Sequence, residues 1–354
     1  MGTSRRSVIS GIGAGALVTG AQGCAGRREM REAEAQQAPG PFSAAANYSA
    51  ESNGVSMLVT RGGEILFEDY PGDGAVDRGW QLASGTKSFT GIMAAAAQAD
   101  GLLDIDEPVQ DAIYRWRANP GLRTITTRHL LTLTSGIRIA GPTARPPNYD
   151  EAARDAEAEH PPGEVFAYGP EPFQIFGAVL SEKLRGAGLD LSPVHWFRSR
   201  VLGPMGVSYT DWGDGLRPGN DMRLAQGAAF TARAWATFGQ WVMDGAAGVD
   251  RGVYAALFEG TTANPGYGLS WWLVRPGLKG PGERAGISEA SFDEDLFGED
   301  IVMAAGAGNQ RLYLLRRRGL VVVRQADGVM EGLLRRRRVE WSDAEFLRRV
   351  LAGG

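Results

Sequence analysis

The chain contains very little cysteine, histidine or lysine. Its 354 residues include one cysteine, Cys24, and three histidines. A single cysteine can form no disulfide within the chain and no thiolate metal cluster, so neither supports the fold. Lysine occurs three times, and arginine supplies the other 34 of the 37 basic residues. The net charge of −4 lacks the basic excess typical of nucleic-acid-binding domains, so we expect no nucleic acid partner.

The N-terminal apolar stretch, residues 8–21, is short and rich in glycine, which makes it a poor membrane span. It follows the pair Arg5 and Arg6, and small residues surround Cys24. This pattern predicts a Tat-like export signal over residues 1–23 and a flexible tether over 24–41. We therefore expect an exported protein, periplasmic or secreted. Two alternatives stay open for the cut before Cys24: ordinary cleavage, or lipidation of Cys24 as a membrane anchor.

Residues 42–354 are predicted to form one mixed α/β (α+β) domain. Strand patterns lie near both ends, and a helical insertion of about 101–244 separates them. The predicted strands cover residues 55–60, 64–70, 268–274, 301–305, 310–315 and 320–325, with helices from Ser84 to about 100, over 173–184, 193–201 and 232–243, and from Ser342 onward. Strands and helices that enclose a helical insertion predict an active site between the two parts.

A serine stands three residues before a lysine at Ser84 and Lys87. Positions i and i+3 share one face of a helix, so the hydroxyl and the amine can come within hydrogen-bonding reach. Neither Lys183 nor Lys279 has a serine at this offset. Arginine could not replace Lys87 as a base, because guanidinium stays protonated while a buried ammonium can lose its proton. The pair predicts a serine nucleophile that needs no histidine, although Ser84 could also serve only as a helix cap.

Three histidines and an acidic segment are further candidates for a functional site, but neither pattern supports one. His129, His160 and His195 could suggest a Ser-His-Asp triad, but no Gly-x-Ser-x-Gly motif accompanies them, so we expect structural roles. An acidic segment at 293–300 fits no calcium-loop spacing, so we expect a solvated loop and no metal.

Five segments resemble, in order and spacing, the serine β-lactamase, penicillin-binding protein and esterase superfamily, most closely its class C-like branch. They are residues 82–90 (LASGTKSFT), 101–109 (GLLDIDEPV), 125–136 (ITTRHLLTLTSG), 161–168 (PPGEVFAY) and 201–206 (VLGPMG). The resemblance covers most of the chain after about Asn53. It implies a β-lactamase/transpeptidase-like fold, in which helices flank an antiparallel sheet and an all-helical subdomain is inserted.

The resemblance also implies roles for individual residues. Ser84 would be the nucleophile, Lys87 its base, and Tyr168 the residue that shares protons with Lys87 and protonates the leaving group. Tyr168 has the alternative of being an ordinary buried tyrosine. The backbone N–H groups of Ser84 and Ala307 would form the oxyanion hole, with Gly306 and Gly308 in the substrate-binding segment. The family's chemistry implies no cofactor.

Two positions depart from the family's motifs. Pro170 replaces the asparagine of the Tyr-x-Asn motif, and Ala304 replaces the usual lysine or histidine of the third motif. Pro170 removes a side-chain donor to a substrate amide, and Ala304 removes a cation that would meet a substrate carboxylate. Both changes disfavour β-lactam and peptidoglycan substrates, so we expect an exported serine hydrolase that cleaves a small-molecule ester or simple amide. Two alternatives remain: a β-lactamase or D-Ala-D-Ala peptidase, and a catalytically degenerate member that only binds a ligand. The sequence does not determine the oligomeric state.

Overall fold

A six-stranded antiparallel sheet lies at the centre of the protein in a computed structural model, which describes residues 40–140, 147–213, 222–282, 286–328 and 340–354. The predicted export signal and nearly all of the tether, including Cys24, lie outside these residues. The strands are β1 (Gly54–Arg61), β2 (Glu64–Asp69), β3 (Trp80–Gln81), β4 (Asp211–Trp212), β5 (Ala228–Phe230), β6 (Trp272–Val274), β7 (Ile301–Gly306), β8 (Gln310–Leu315) and β9 (Leu320–Ala326). The large sheet has the order β2-β1-β9-β8-β7-β6.

The sequence predicted most of these strands. β1 and β2 form the expected hairpin, because Gly62 and Gly63 adopt φ of 57° and 83°, as a tight hairpin turn requires. The strand expected over 268–274 is shorter, since Ser270 has φ of 73° and regular pairing begins only at Trp272. A chain with left-handed φ cannot continue a strand.

Helices cover both faces of the sheet. They are α1 (Ser43–Glu51), α2 (Ser88–Ala99), α3 (Thr127–Leu131), α4 (Tyr149–Arg154), α5 (Glu171–Gly186), α6 (Pro193–Phe197), α7 (Ala232–Met243), α8 (Arg251–Ala256), α9 (Glu294–Phe297) and α10 (Asp343–Gly353). Arg311 and Tyr313 of β8 bond to Asp343 of α10, whereas Leu312 between them packs against α7 at Gly239. Since alternate residues of a strand face opposite ways, α10 and α7 lie on opposite faces.

The predicted fold is confirmed: helices flank an antiparallel sheet, and a largely helical insertion separates its strands. The insertion also contains β4 and β5. In a second, three-stranded sheet, β5 is the central strand and pairs with both β3 and β4. The segment Ala83–Lys87 contacts both β7 of the large sheet and β5 of the small one. It therefore lies between the two parts of the domain. No helix of the described segments is long and apolar enough to cross a membrane.

Candidate active site

Ser84 lies in a 3₁₀ turn, Ala83–Lys87, that leads directly into α2. The sequence predicted a regular helix from Ser84, but the first turn is tighter. In a 3₁₀ helix, residues i and i+3 eclipse each other, so the tighter turn aligns Ser84 with Lys87. The Lys87 Nζ lies 3.0 Å from the Ser84 Oγ. Ser84 is partly exposed, while Lys87 is 4% exposed.

The residue before the serine has an unusual backbone. Ala83 adopts φ of 47°, a left-handed conformation that costs a non-glycine residue on the order of 1 kcal/mol. Hydrogen bonds on both sides hold it there: the Leu82 N–H donates to the Ala228 carbonyl at 2.8 Å, and the Thr86 hydroxyl donates to the Ala83 carbonyl at 2.7 Å. The turn that presents Ser84 is therefore held by β5 and by its own side chains.

Lys87 has few polar neighbours. Its Nζ donates to the Ala225 carbonyl at 2.7 Å and lies 5.0 Å from the centre of the Tyr168 ring. Burial lowers the pKa of Lys87 to about 7, against the opposing charge of Glu171. At neutral pH about half of the amine is therefore free of its extra proton. With one N–H directed at Ala225, the lone pair of the neutral amine can face Ser84.

Gln174, which the sequence analysis missed, holds the Ala225 segment in place. Its side-chain oxygen accepts hydrogen bonds from the Leu224 N–H at 2.9 Å and the Ala225 N–H at 3.4 Å, and its amide donates to the Pro147 carbonyl at 2.8 Å. Gln174 is completely buried on α5. A glutamine among apolar helix residues was the available signal, but its partners are distant in sequence.

Tyr168 lies near Ser84, in the segment before α5. Its ring stacks on Trp272 with 5.4 Å between centroids. Burial raises the pKa of Tyr168 to about 12, and the nearby Ser84 side chain opposes this. At pH 7 only about one molecule in 10⁵ would carry a phenolate, so Lys87 is far better suited to act as the base.

The segment that contains Ala304, Gly306 and Ala307 packs directly against the turn that carries Ser84. β7 ends at Gly306, and Ala307–Asn309 form a 3₁₀ turn in which Gly308 has φ of 72°. A Cβ added to Gly306 would lie 2.0 Å from the Leu82 carbonyl oxygen, so only glycine allows this approach. Within the described residues, neither the Ser84 N–H nor the Ala307 N–H donates to a protein acceptor. Two unpaired donors on adjacent turns suit a developing oxyanion.

Glu171 is a second residue that the sequence analysis overlooked. Its Oε1 accepts the Ala140 N–H at 3.2 Å, while its Oε2 is buried and has no hydrogen-bond partner among the described residues. Burial raises the pKa of Glu171, although the positive charge of Lys87 opposes this. The two groups therefore influence each other's protonation.

Comparison with known proteins agrees with this architecture. The model of the family described as Beta-lactamase matches residues 42–329. The chain belongs to the β-lactamase family.

Its resemblance to individual proteins is distant. Protein flp of Staphylococcus aureus (strain MW2) is 24% identical over 163 residues, which cover 41% of this chain and 33% of that protein. The matched part is thus about a third of that relative's length. A β-lactamase/D-alanine carboxypeptidase from Pseudomonas syringae has a TM-score of 0.60 at 16% identity, over 84% of this chain and 98% of the other. A D-stereospecific amidohydrolase from Streptomyces sp. has a TM-score of 0.58 at 15% identity, over 83% and 98%.

In this β-lactamase-family chain, the two departures from the motifs lie beside the site. Pro170 immediately precedes α5, and Ala304 is a buried residue of β7. Neither side chain can donate a hydrogen bond or carry a charge.

Two of the histidines form hydrogen bonds with residues close to them in sequence, at the starts of helices. His129 bonds through Nδ1 to Thr126 at the start of α3, and His195 bonds to Ser192 at the start of α6. Acidic residues at 293–300 pair with arginines: Asp293 with Arg348, Glu299 with Arg318 and Asp300 with Arg316. Within the described segments no group of three His, Cys, Asp or Glu side chains could hold a metal ion.

Proposed function

We propose that this β-lactamase-family protein is a serine hydrolase that cleaves an ester or a simple amide through an acyl-Ser84 intermediate. The observation that carries the proposal is the contact between Lys87 and Ser84. A buried amine with its pKa lowered to about 7 lies 3.0 Å from the hydroxyl of a partly exposed serine. Such a pair can form a nucleophile at neutral pH.

In the acylation step, the neutral Lys87 amine takes the Ser84 proton while the Ser84 Oγ attacks the substrate carbonyl carbon. The carbonyl oxygen gains negative charge and receives hydrogen bonds from the Ser84 and Ala307 N–H groups. The bond to the leaving group then breaks. The Tyr168 hydroxyl donates its proton to the departing alcohol or amine, and Lys87 returns a proton to Tyr168.

In the deacylation step, water attacks the acyl-Ser84 carbonyl and transfers a proton to the lysine–tyrosine pair. The same N–H groups stabilise the second tetrahedral intermediate. Collapse of that intermediate releases the carboxylic acid and returns the proton to the Ser84 oxygen. No cofactor enters either step.

The substrate class follows from what the site lacks. A β-lactam or a D-Ala-D-Ala peptide carries a carboxylate, and Ala304 offers no cation to meet it. Pro170 likewise offers no side-chain donor to a substrate amide. An ester needs neither contact, which is why we place uncharged esters and simple linear amides first.

The test is hydrolysis of p-nitrophenyl acetate and butyrate by the purified protein beside Ser84→Ala and Lys87→Ala. Matched controls are Ser181→Ala and Lys183→Ala, because both residues lie on α5, where Ser181 bonds to its own helix and Lys183 pairs with Glu107. We expect turnover in the wild type and in the controls, and loss of turnover in both site variants.

Two other outcomes would redirect the assignment. Nitrocefin or D-Ala-D-Ala peptide turnover as fast as ester turnover would favour the β-lactamase or peptidase alternative. No Ser84-dependent turnover of any of these substrates would favour the ligand-binding alternative, and Pro170 and Ala304 would then be marks of a lost activity.

We also propose that the protein is exported, from the sequence of residues 1–23. Replacing Arg5 and Arg6 with lysine should retain the protein in the cytoplasm of a Tat-competent host. If the exported protein is membrane-bound in the wild type and soluble in Cys24→Ser, Cys24 carries a lipid anchor. A soluble exported wild type would exclude the anchor.

A further inference from the structure

Two buried arginines lie behind the turn that carries Ala307. Arg311 of β8 and Arg324 of β9 are directly opposite each other in the sheet. Arg311 is 2% exposed and Arg324 is completely buried. Two adjacent guanidinium groups are costly in a protein interior unless acceptors satisfy their donors. The acceptors they use therefore indicate what the arginines do.

Several of these acceptors are carbonyl groups of the turn or of the residues on either side of it. The Arg311 Nη1 donates to the Gly306 carbonyl at 3.1 Å and to the Gln310 carbonyl at 3.0 Å. The Arg324 Nη1 donates to the Asn309 carbonyl at 2.7 Å. The two arginines thus bind carbonyl groups at both ends of the 307–309 turn.

The remaining nitrogen atoms of the two guanidinium groups bond to parts of the chain that are distant in sequence. Arg311 forms a two-point ion pair with Asp343 of α10, at 2.6 and 3.0 Å. The Arg324 Nη2 donates to the Ser52 carbonyl at 2.6 Å, just after α1. Burial lowers the pKa of Arg324 to about 9, so it remains charged at neutral pH. The α1 and α10 regions therefore anchor the turn through the arginines.

We propose that Arg311 is a positioning residue for the oxyanion hole: by holding the Gly306 carbonyl, it fixes the direction of the Ala307 N–H. The Gly306 carbonyl and the Ala307 N–H belong to one peptide unit, which is planar and trans, so the two groups point in opposite directions. A charged donor on the carbonyl also polarises the N–H on the other side. This inference rests on the proposed acyl-Ser84 chemistry.

The test is a double-mutant cycle that joins Arg311→Lys to Ala307→Pro. Lysine keeps a positive charge beside Asp343 but cannot also bridge to Gly306. Proline removes the Ala307 N–H, and the extended backbone of Gly306 (φ −130°, ψ 160°) suits a residue that precedes proline. The kcat and KM for p-nitrophenyl butyrate are measured for each protein at a fixed interval below its own thermal midpoint.

We expect Ala307→Pro to lower kcat by about 10²–10³ and Arg311→Lys by about 10–100, with little change in KM. In the Ala307→Pro background, Arg311→Lys should change kcat less than about twofold, because the N–H it acts through is already gone. Asp343→Asn is the control for the charge of the ion pair. It should keep most of kcat, because asparagine retains one side-chain oxygen that can accept from Arg311 and leaves the Gly306 contact in place.

Each alternative result has a definite meaning. Ser84-dependent turnover with unchanged kcat in Arg311→Lys, or an equal loss in both backgrounds, would overturn this inference and leave the proposed function standing. Wild-type turnover that does not need Ser84 would overturn both. If Arg311→Lys does not fold, the double variant Arg311→Met with Asp343→Asn takes its place in the cycle, because it removes the donor to the Gly306 carbonyl and leaves no unpaired carboxylate. The same coupling with Ala307→Pro is then required.

Discussion

Replacing Lys87 with methionine should make the protein more stable while it loses activity. Lys87 is 4% exposed, and burial lowers its pKa from 10.5 to about 7. A change of about 3.5 pH units corresponds to about 5 kcal/mol of preference for the neutral amine in the folded protein. Below pH 7 the buried amine is protonated, and this lowers the free energy of unfolding by the whole of that amount. Methionine has a similar volume and no proton to lose, so it removes the penalty.

The sign of the pH dependence follows from proton binding. Between pH 7 and 10.5 the unfolded chain binds more protons at Lys87 than the folded protein does, so the free energy of unfolding rises with pH in this window. Between pH 7 and pH 9 the wild type should gain about 2 kcal/mol relative to Lys87→Met. Urea unfolding at the two pH values measures this difference.

Ser84→Ala is the matched control, because it abolishes the nucleophile but keeps Lys87 buried. We expect its stability to follow the wild type with pH, although its activity is lost. In the wild type, kcat/KM for ester hydrolysis should fall about tenfold per pH unit below pH 7. Equal pH dependence of stability in the wild type and Lys87→Met, or a flat rate profile from pH 5 to 9, would refute the assignment of Lys87 as a buried neutral base.

Three further predictions concern the neighbours of this pair. Glu171→Gln should shift the acid limb of the kcat/KM profile to lower pH, because the Glu171 carboxylate raises the pKa of Lys87; a shift to higher pH would contradict the coupling. Tyr168→Phe should lower kcat by about 10²–10⁴ with a nearly unchanged thermal midpoint, since the ring packing survives; wild-type kcat would remove Tyr168 from the mechanism. Gly306→Ala should unfold the protein or abolish ester hydrolysis, because its Cβ would lie 2.0 Å from a carbonyl oxygen, whereas Gly186→Ala, with no atom within 4 Å, should match the wild type in both melting and activity assays.

The sequence predicted those parts of the site that depend on local spacing. The three-residue offset between Ser84 and Lys87 places both side chains on one face whether the turn is 3₁₀ or α-helical, so the contact did not depend on tertiary detail. The Gly62-Gly63 hairpin was predictable for the same reason, because a two-residue turn needs only its own φ angles. Predicting that the β7 segment and Tyr168 belong to the site also required the order and spacing of the family's motifs.

Residues that act through distant partners were not predictable in this way. Gln174, Glu171 and Arg311 are ordinary residues in the sequence, and nothing in their neighbours marks them. Gln174 gains its role only when α5 packs beside the Ala225 segment, about 50 residues further along the chain. Arg311 gains its role when α10 brings Asp343 to β8.

The sequence by itself therefore determined a mixed α/β fold and the residues of the proposed site, namely a serine, a lysine and a tyrosine. Only the tertiary structure decided the protonation of Lys87 and the direction of the Ala307 N–H. The pKa of Lys87 falls because packing removes water from around it, and the Ala307 N–H has a fixed direction because Arg311 holds the other side of its peptide unit. Both effects depend on atoms that meet only after the chain has folded, so no local pattern of residues could specify them.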